Sequence, residues 1–394
     1  MASLLRSLRP AIFSPRSSLS ALSSSSSPLL RTAAGATYTT ATTTMSSRPF
    51  SSYLVTPAEL NAALTDQDAS RRTIPLCATW FMPNDPQKRT GAEAFKRLRI
   101  PHARFLDIDK VKDLDSIYPH MLPTSDVFET AMQELGIKRD DQIVVYDSEE
   151  TGLFSAPRVG WTLRLFGHEK VHVLNNFRLW VKEGYPVESG ELDAAVMPEQ
   201  KSGYTVSTMK PELVVNYAEM KQIAKNNLET EAAEAKKEAE ERKKEQEQEN
   251  EGEGEDKKSS SSSRKESASE HQILDARPYG RWAGIDPEPR VGLPSGHIPG
   301  SISVPFNELL DPETKTLLPK ERLREIFAAK GVKEGKPTIS SCGTGVTAAV
   351  VDLALEQAGY VEKDNRRIYD GSWTEWAMRV KPESGLIQTV EKKN

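Results

Sequence analysis

Cys342 is the residue of this chain best placed to act as a nucleophile. A short strand-like run ends at Ser340, and an apolar pattern of helical spacing follows Ala348. The sulfur is therefore expected on a glycine-rich loop at the N-terminus of a helix, in the segment Ser340-Ser341-Cys342-Gly343-Thr344-Gly345-Val346-Thr347-Ala348. Unpaired backbone N–H groups converge on such a loop, and the helix dipole adds positive potential. Both effects favour the thiolate, which is the reactive form of cysteine.

Two other interpretations of Cys342 stay open at this point. A buried structural cysteine in front of a core helix would have the same surroundings in sequence. A cysteine phosphatase would bind phosphate with a Cys-x5-Arg loop, but position 348 is alanine. The flanking glycines favour a nucleophile over a structural residue.

Composition limits the class of protein. At 394 residues the chain is long enough for two domains, and its two cysteines, Cys77 and Cys342, argue against a disulfide-stapled secreted scaffold. The net charge of −5 gives no support for a nucleic-acid partner. No apolar run approaches the roughly 20 residues needed to cross a bilayer, so no membrane partner is expected.

The N-terminal segment differs in composition from the rest. Its first 58 residues contain five arginines, no lysine and no acidic residue, and they are rich in Ser, Thr and Ala. This composition predicts a mitochondrial presequence over 1–50, cleaved after Phe50, and a location in the mitochondrial matrix. Met45 could start a shorter cytosolic form. The alternative is a tail that carries no targeting signal.

A second segment of unusual composition spans 229–272. It contains no Val, Ile, Leu, Met, Phe, Tyr or Trp, and Glu, Lys and Ser dominate it. Such a segment cannot bury enough apolar surface to offset its ordering entropy, which predicts a disordered charged insertion. Its first half, Glu229 to Gln248, has the Ala and Glu/Lys spacing of a solvated helix. A tolerated surface insertion is favoured over a partner-binding segment.

Two similar units flank the insertion. Each shows a helix start, a strand, a His-containing turn, a second strand, a helix, a third strand and a tryptophan, in that order. Alternating strands and helices predict an α/β fold, with a mainly parallel sheet flanked by helices in each domain. The predicted domains are 54–190 and 213–390, joined by a linker at 191–212. Asp147 takes the place of Cys342 in the first unit, so only the second unit is expected to be catalytic.

Four motifs in order resemble the tandem-rhodanese sulfurtransferases, over roughly 54–390. They are Phe154-Ser155-Ala156-Pro157-Arg158-Val159, Gly296-His297-Ile298-Pro299-Gly300, Cys342-Gly343-Thr344-Gly345-Val346-Thr347 and Tyr369-Asp370-Gly371-Ser372-Trp373. The neutral residues after Cys342 resemble the mercaptopyruvate-type members. Thiosulfate-preferring members have Arg and Lys there.

The resemblance implies roles for named residues. Arg281 and Arg290 match the family's two substrate arginines, whose planar forks pair with a carboxylate. Gly343, Gly345, Val346 and Thr347 belong to the substrate-binding loop around the sulfur. A relay of hydroxyl, histidine and carboxylate maps onto Thr344, His120 and Asp109, which would place groups from both domains in one active site.

The resemblance also implies a reaction. Cys342 would take sulfur from 3-mercaptopyruvate, release pyruvate and pass the sulfur from a persulfide to thioredoxin, a small thiol or cyanide. No metal or organic cofactor is needed, and the chain is expected to be a monomer. The alternatives are a thiosulfate:cyanide sulfurtransferase on the same scaffold and a non-enzymatic sulfur-carrier or partner-binding module.

Overall fold

The computed structural model describes residues 50–66, 72–191, 201–206, 208–250 and 270–390, without the side chains of 245–250 and 382. Most of the predicted presequence and the second half of the predicted insertion lie outside these residues. Among the helices of the described part, none is both long and apolar enough to cross a membrane.

The first domain is a five-stranded parallel sheet with helices on both faces. Its strands lie in the order β1-β5-β4-β2-β3. In chain order its elements are β1 Leu54–Val55, α1 Pro57–Thr65, β2 Thr73–Cys77, α2 Gly91–Arg97, β3 Arg104–Phe105, α3 Ser125–Glu134, β4 Gln142–Tyr146, α4 Ala156–Leu165, β5 Val171–Leu174 and α5 Phe177–Lys182.

The second domain repeats this arrangement. Its strands lie in the order β6-β10-β9-β7-β8, again all parallel. Its elements are β6 Val214–Val215, α6 Tyr217–Asn250, β7 Gln272–Asp275, α7 Tyr279–Trp282, β8 Ser301–Ser303, α8 Lys320–Ala329, β9 Thr338–Ser341, α9 Ala348–Ala358, β10 Arg366–Tyr369 and α10 Ser372–Arg379.

The predicted α/β fold with two similar sheets is therefore confirmed. The central strands β4 and β9 are buried along their whole length, and they occupy the same position in the two sheets. Helices α4 and α9, which follow them, pack against each other across the domain boundary. One apolar core includes residues of both helices and both domains. The segments that follow β4 and β9 are thereby brought to the same interface.

Helix α6 agrees with the solvated helix expected over Glu229 to Gln248 and corrects the expectation that the whole insertion is disordered. The helix continues without interruption from Tyr217 to Asn250. Its first turns are anchored by the buried Met220 and Ala224. Propagating an existing helix costs far less than nucleating one, and alanines with i,i+4 pairs such as Lys237–Glu241 support its exposed part. Gln272 belongs to β7 and not to the insertion.

Buried side chains lie at the predicted end of the presequence and within the predicted linker. Phe50, the last residue of the predicted presequence, is only 6% exposed and packs on His172 with ring centroids 4.6 Å apart. Cleavage after Phe50 would therefore remove a side chain from the first domain's core. Tyr204, within the predicted linker, is fully buried and contacts the ring of Phe128. The linker is thus partly packed on the first domain.

Candidate active site

Cys342 lies directly after the central strand β9, at the carboxyl end of the sheet. Its side chain is 2% exposed. The start of α10 fixes its backbone, because the amide of Cys342 donates to Ser372 Oγ at 3.1 Å and its carbonyl accepts from Trp373 N at 2.9 Å. The Gly343 carbonyl accepts from the amide and the hydroxyl of Thr374, at 2.9 and 2.8 Å. The backbone of Cys342 therefore has a fixed position.

The loop after Cys342 presents unpaired amides. Within the described part of the chain, the N–H groups of residues 343–347 donate to no protein acceptor. Helix α9 begins immediately afterwards, at Ala348, and its N-terminus adds positive potential. A run of such amides forms a concavity suited to an anion, and its position beside Cys342 suits the negative charge of a sulfur substituent.

In the first domain, the loop that corresponds to the cysteine loop binds a carboxylate of the chain itself. Asp147 follows β4 as Cys342 follows β9, and its carboxylate accepts from the amides of Phe154, Ser155 and Ala156 at 2.8 to 2.9 Å. The Ser155 hydroxyl donates to it at 2.5 Å. Burial raises the pKa of Asp147, and these hydrogen bonds oppose that effect. A carboxylate of the chain itself thus occupies the anion position in the domain that has Asp147 in place of a cysteine after its central strand.

Thr344, His120 and Asp109 form a continuous hydrogen-bonded chain. Thr344 Oγ1 lies 3.0 Å from His120 Nδ1, and His120 Nε2 lies 3.0 Å from Asp109 Oδ1. Thr344 belongs to the second domain and the other two to the first, so the contact spans the domain boundary. The three residues that the family resemblance selected are brought together by the structure.

The electrostatics indicate the protonation state of this chain of groups. Burial lowers the pKa of His120, and this outweighs the opposing effect of Asp109. The hydrogen bond from His120 lowers the pKa of Asp109. A neutral His120 then keeps its proton on Nε2, facing the carboxylate, and its Nδ1 accepts the proton of the Thr344 hydroxyl. In this state the relay is ready to take up a proton through Thr344.

Arg281 and Arg290 lie near the cysteine loop and have different partners. Arg281 donates from Nε and Nη2 to Glu288 at 3.1 and 2.5 Å, and its Nη2 lies 3.5 Å from where a Cβ on Gly343 would stand. Arg290 is half-buried and, within the described residues, forms no ion pair. Its pKa is lowered by burial and then by the charge of Arg281, whereas Cys342 raises it. Arg290 is therefore a cation within electrostatic range of Cys342 that has no ion-pair partner among the described residues.

Known proteins share this architecture and sequence. Residues 261–379 match the model of the rhodanese-like domain. Thiosulfate sulfurtransferase TUM1 of Saccharomyces cerevisiae is 38% identical over 328 residues, which cover 81% of this chain and 93% of the relative. The chain belongs to the tandem-rhodanese sulfurtransferase family. It is accordingly an enzyme that transfers sulfur.

Two further comparisons extend this result. The mitochondrial thiosulfate/3-mercaptopyruvate sulfurtransferase 1 of Arabidopsis thaliana is 36% identical over 318 residues, covering 77% of this chain and 71% of the relative. The crystal structure of the Tum1 protein from Saccharomyces cerevisiae matches with a TM-score of 0.69 and 36% identity, over 86% of this chain and 98% of that one. The sulfurtransferase relatives thus align with both domains, which excludes a phosphatase assignment for this chain.

Trp80 and Glu288 are parts of this sulfurtransferase site that the sequence alone did not reveal. Trp80 Nε1 donates to Asp109 Oδ2 at 2.9 Å, and the Trp80 ring lies edge-on to His120 with centroids 4.7 Å apart. Glu288 holds Arg281 and the buried Arg277 at once. In the sequence Trp80 lies inside the run from Ile74 to Phe81 that is predicted as a strand, although β2 ends at Cys77, and a strand position indicates no catalytic role. Glu288, between two prolines, has no signal either.

Gly345 yields a first prediction for this loop. Its φ is +77°, and a Cβ there would lie 2.7 Å from Arg158 Nη1 and 2.8 Å from the Asp370 carbonyl. Gly345→Ala should therefore lower the free energy of unfolding by about 2 kcal/mol through backbone strain and collision, and should reduce turnover by displacing the loop. Thermal melting and steady-state kinetics check this. Gly331→Ala, also at positive φ but with open space around it, separates the strain from the collision, and equal losses in both variants would exclude the collision.

Proposed function

We propose that this sulfurtransferase moves the sulfur of 3-mercaptopyruvate to a thiol or to cyanide through a persulfide on Cys342. The observation that carries the proposal is the unfilled run of amides at 343–347 around Cys342. Arg290, which forms no ion pair within the described residues, interacts electrostatically with Cys342, and Thr344 of this run contacts the neutral His120. Arg290 would bind the carboxylate of the donor, the loop amides would bind the sulfur anion, and the relay would protonate the departing enolate.

The first half-reaction needs only the donor and the side chains of this site. The Cys342 thiolate attacks the sulfur of 3-mercaptopyruvate, the new S–S bond forms, and the C–S bond breaks with its electron pair on carbon. The proton of the donor's thiol passes through Thr344 Oγ1 to His120 Nδ1 and returns to the enolate carbon, giving pyruvate. Arg290, with Arg281 beside it, holds the carboxylate. The persulfide anion remains against the loop amides.

The second half-reaction restores the enzyme. A thiolate or cyanide attacks the outer sulfur, the S–S bond breaks, and Cys342 leaves as a thiolate. We propose thioredoxin or a small thiol as the acceptor in the cell, with cyanide as an acceptor in the assay. No cofactor takes part, since both steps are substitutions at sulfur.

A thiosulfate donor is the second candidate, because both relatives compared above carry thiosulfate in their names. Thiosulfate is a dianion, and the residues after Cys342 in this chain are the neutral Gly343 and Thr344. A monocarboxylate needs less positive charge than a dianion does. The His120 relay also has a purpose only for a donor that leaves as a carbanion, because sulfite leaves without needing a proton on carbon.

Steady-state turnover with each donor, in the presence of a thiol or cyanide, tests the proposal. A higher kcat/KM for 3-mercaptopyruvate than for thiosulfate is expected. The reverse preference would contradict the proposed donor but leave sulfur transfer intact. Mass spectrometry of the enzyme after donor alone should show one added sulfur atom on Cys342, and its absence with ongoing turnover would contradict the persulfide.

The pH dependence provides a second prediction. Because His120 must be neutral to accept a proton, kcat/KM for 3-mercaptopyruvate should fall on the acid side of a pKa that burial holds below the ordinary 6.5. Asp109 raises the pKa of His120, so Asp109→Asn should move this acidic limb to lower pH. Asp126→Asn, on the exposed first turn of α3, is the matched control. If the acidic limb of the kcat/KM profile lies at the same pH in Asp109→Asn as in the unmodified enzyme, the relay is contradicted.

We also propose that residues before the first domain direct the chain to the mitochondrial matrix, with Met45 as the start of a cytosolic form. The support is the acid-free, arginine-containing composition of the first 58 residues and the mitochondrial relative. Fusing residues 1–50 to a fluorescent protein should give mitochondrial import, whereas a fusion starting at Met45 should stay in the cytosol. Diffuse fluorescence of the first fusion would contradict the proposal.

A further inference from the structure

Arg158 is a buried charge at the boundary between the two domains. It lies on α4, in the first domain, and its side chain is 4% exposed. Its Nη2 donates to Asp370 Oδ1 at 2.5 Å, across the boundary, and Asp370 itself is 6% exposed. Its guanidinium also lies over the Trp161 ring, 4.8 Å from the centroid. None of the steps proposed above uses this pair.

The pair holds the backbone at His120 and just after it. The His120 carbonyl accepts from Arg158 Nη2 at 2.8 Å, and the amide of Leu122 donates to Asp370 Oδ2 at 2.9 Å. His120 has a φ of +60°, in the left-handed region that non-glycine residues rarely occupy. A strained conformation persists only where the surroundings determine it, and here Arg158 and Asp370 supply two of the contacts that do so.

The same guanidinium also reaches the cysteine loop. Arg158 Nη1 lies 3.4 Å from the carbonyl of Gly345, the residue that follows Thr344. Asp370 follows strand β10 and directly precedes the segment whose Ser372 hydroxyl binds the Cys342 amide. One ion pair therefore contacts the segment of the acid–base residue and the segments around the nucleophile at the same time.

We propose that Arg158 and Asp370 are positioning residues of this enzyme, which set His120 against Thr344 across the domain boundary. The inference rests on the proposed function, because it assigns the pair to the relay. A buried ion pair contributes little net stability after its desolvation cost, whereas a guanidinium that contacts three acceptors fixes geometry. A displacement of about 1 Å in a reacting group can cost roughly 100-fold in rate.

The choice of donor separates this role from general stability. A departing enolate needs a proton from the relay, but a departing sulfite does not. Loss of the pair should therefore reduce turnover with 3-mercaptopyruvate by about 30- to 100-fold. Turnover with thiosulfate should fall by no more than about threefold, since Ser372, Trp373 and Thr374 still hold the backbone of Cys342 and Gly343. The pair itself contacts the loop only through the long, 3.4 Å hydrogen bond to the Gly345 carbonyl. A variant that merely loosens the structure would lose both activities together.

The variants are Arg158→Met, Asp370→Asn and the double variant, assayed with both donors. Removing one partner leaves a buried charge unpaired and risks misfolding, so the double variant, which removes both charges, is the decisive one. Because the two residues act as a unit, the double variant should lose no more activity than either single variant. Arg164→Met is the matched control. Arg164 also lies on α4 and pairs across the boundary, with Glu356, but it contacts no residue of the site.

The pH profile adds a readout that a structural role would not move. His120 is surrounded by Asp109, Arg158 and Arg290, with Asp370 behind Arg158. Arg158 lowers the pKa of His120, so the acidic limb with 3-mercaptopyruvate should move to higher pH in Arg158→Met. The inference would be overturned by equal losses with both donors, by multiplicative effects in the double variant, or by an acidic limb of the pH profile that does not move.

His120→Asn distinguishes the proposed relay from the proposed positioning role. If it leaves turnover of 3-mercaptopyruvate intact, the relay itself fails. If it abolishes that turnover while Arg158→Met does not reduce it, only the positioning role fails.

Discussion

Cys342→Ser is expected to abolish sulfur transfer from either donor, by at least about 10⁴-fold in kcat, while the fold stays intact. A serine hydroxyl is not ionised near neutral pH and cannot hold a transferable sulfur atom. The substitution is nearly isosteric, and the backbone of Cys342 is fixed by Ser372 and Trp373 independently of its side chain. Steady-state turnover checks the activity, and circular dichroism and thermal melting check the fold.

Cys77→Ala is the matched control. Cys77 lies at the end of β2 in the other domain, and its Sγ is 3.2 Å from Thr79 Oγ1. Burial raises the pKa of the Cys77 thiol to about 12, so it is not a competing nucleophile. The control should retain turnover and still acquire one sulfur atom from the donor. Sulfur-transfer activity that survives in Cys342→Ser would refute the assignment of the nucleophile.

The sequence was sufficient to predict the elements that repeat. The core strands β4 and β9 are continuous apolar or small-residue runs, so their equivalence, and with it that of Asp147 and Cys342, could be read from order alone. The edge strands β1, β3 and β6 have two residues each, which is too short to show a periodicity. They exist because neighbouring strands provide hydrogen-bonding partners, and no local pattern encodes that.

The site was less accessible to sequence reasoning. His120 and Thr344 are 224 residues apart, and nothing local in either segment indicates their contact, so the family resemblance had to supply it. Arg158 and Asp370 lay inside recognised motifs but had no role there, because a partner 212 residues away is visible only after the domains are packed. Glu288 went unrecognised although its partners Arg281 and Arg277 are only 7 and 11 residues away, because a glutamate between two prolines has no spacing that indicates an ion pair.

The first domain has no cysteine at the position of Cys342 and yet contributes to the candidate active site. The corresponding position is filled by the Asp147 carboxylate, which accepts from the amides at the start of α4. Its His120 and Asp109 form a hydrogen-bonded chain with Thr344 on the other domain's cysteine loop. Because α4 and α9 pack together, the loop after Asp147 and the loop after Cys342 lie at one interface. The duplication thus supplies the second wall of the cleft and the acid–base groups that one domain lacks.

Arg290→Ala is expected to raise KM for 3-mercaptopyruvate by about 30- to 150-fold, the equivalent of about 2–3 kcal/mol for a charge-assisted hydrogen bond. Arg290 has this large effect because, within the described residues, it forms no ion pair and lies near the Cys342 charge. Arg281 already donates two of its N–H groups to Glu288. Arg281→Ala should therefore raise KM less, by about tenfold. Initial rates over a range of 3-mercaptopyruvate concentrations measure both effects.

Two further variants make the comparison specific. Arg290→Lys keeps the charge but loses the planar fork, so it should recover only part of the affinity. Arg322→Ala removes an exposed cation on α8, which pairs with Glu325 away from the site, and should leave KM unchanged because solvent and salt screen it. A larger effect of Arg281→Ala than of Arg290→Ala would mean that Glu288 orients Arg281 for the substrate and does not compete with it. The primary contact to the carboxylate would then belong to Arg281.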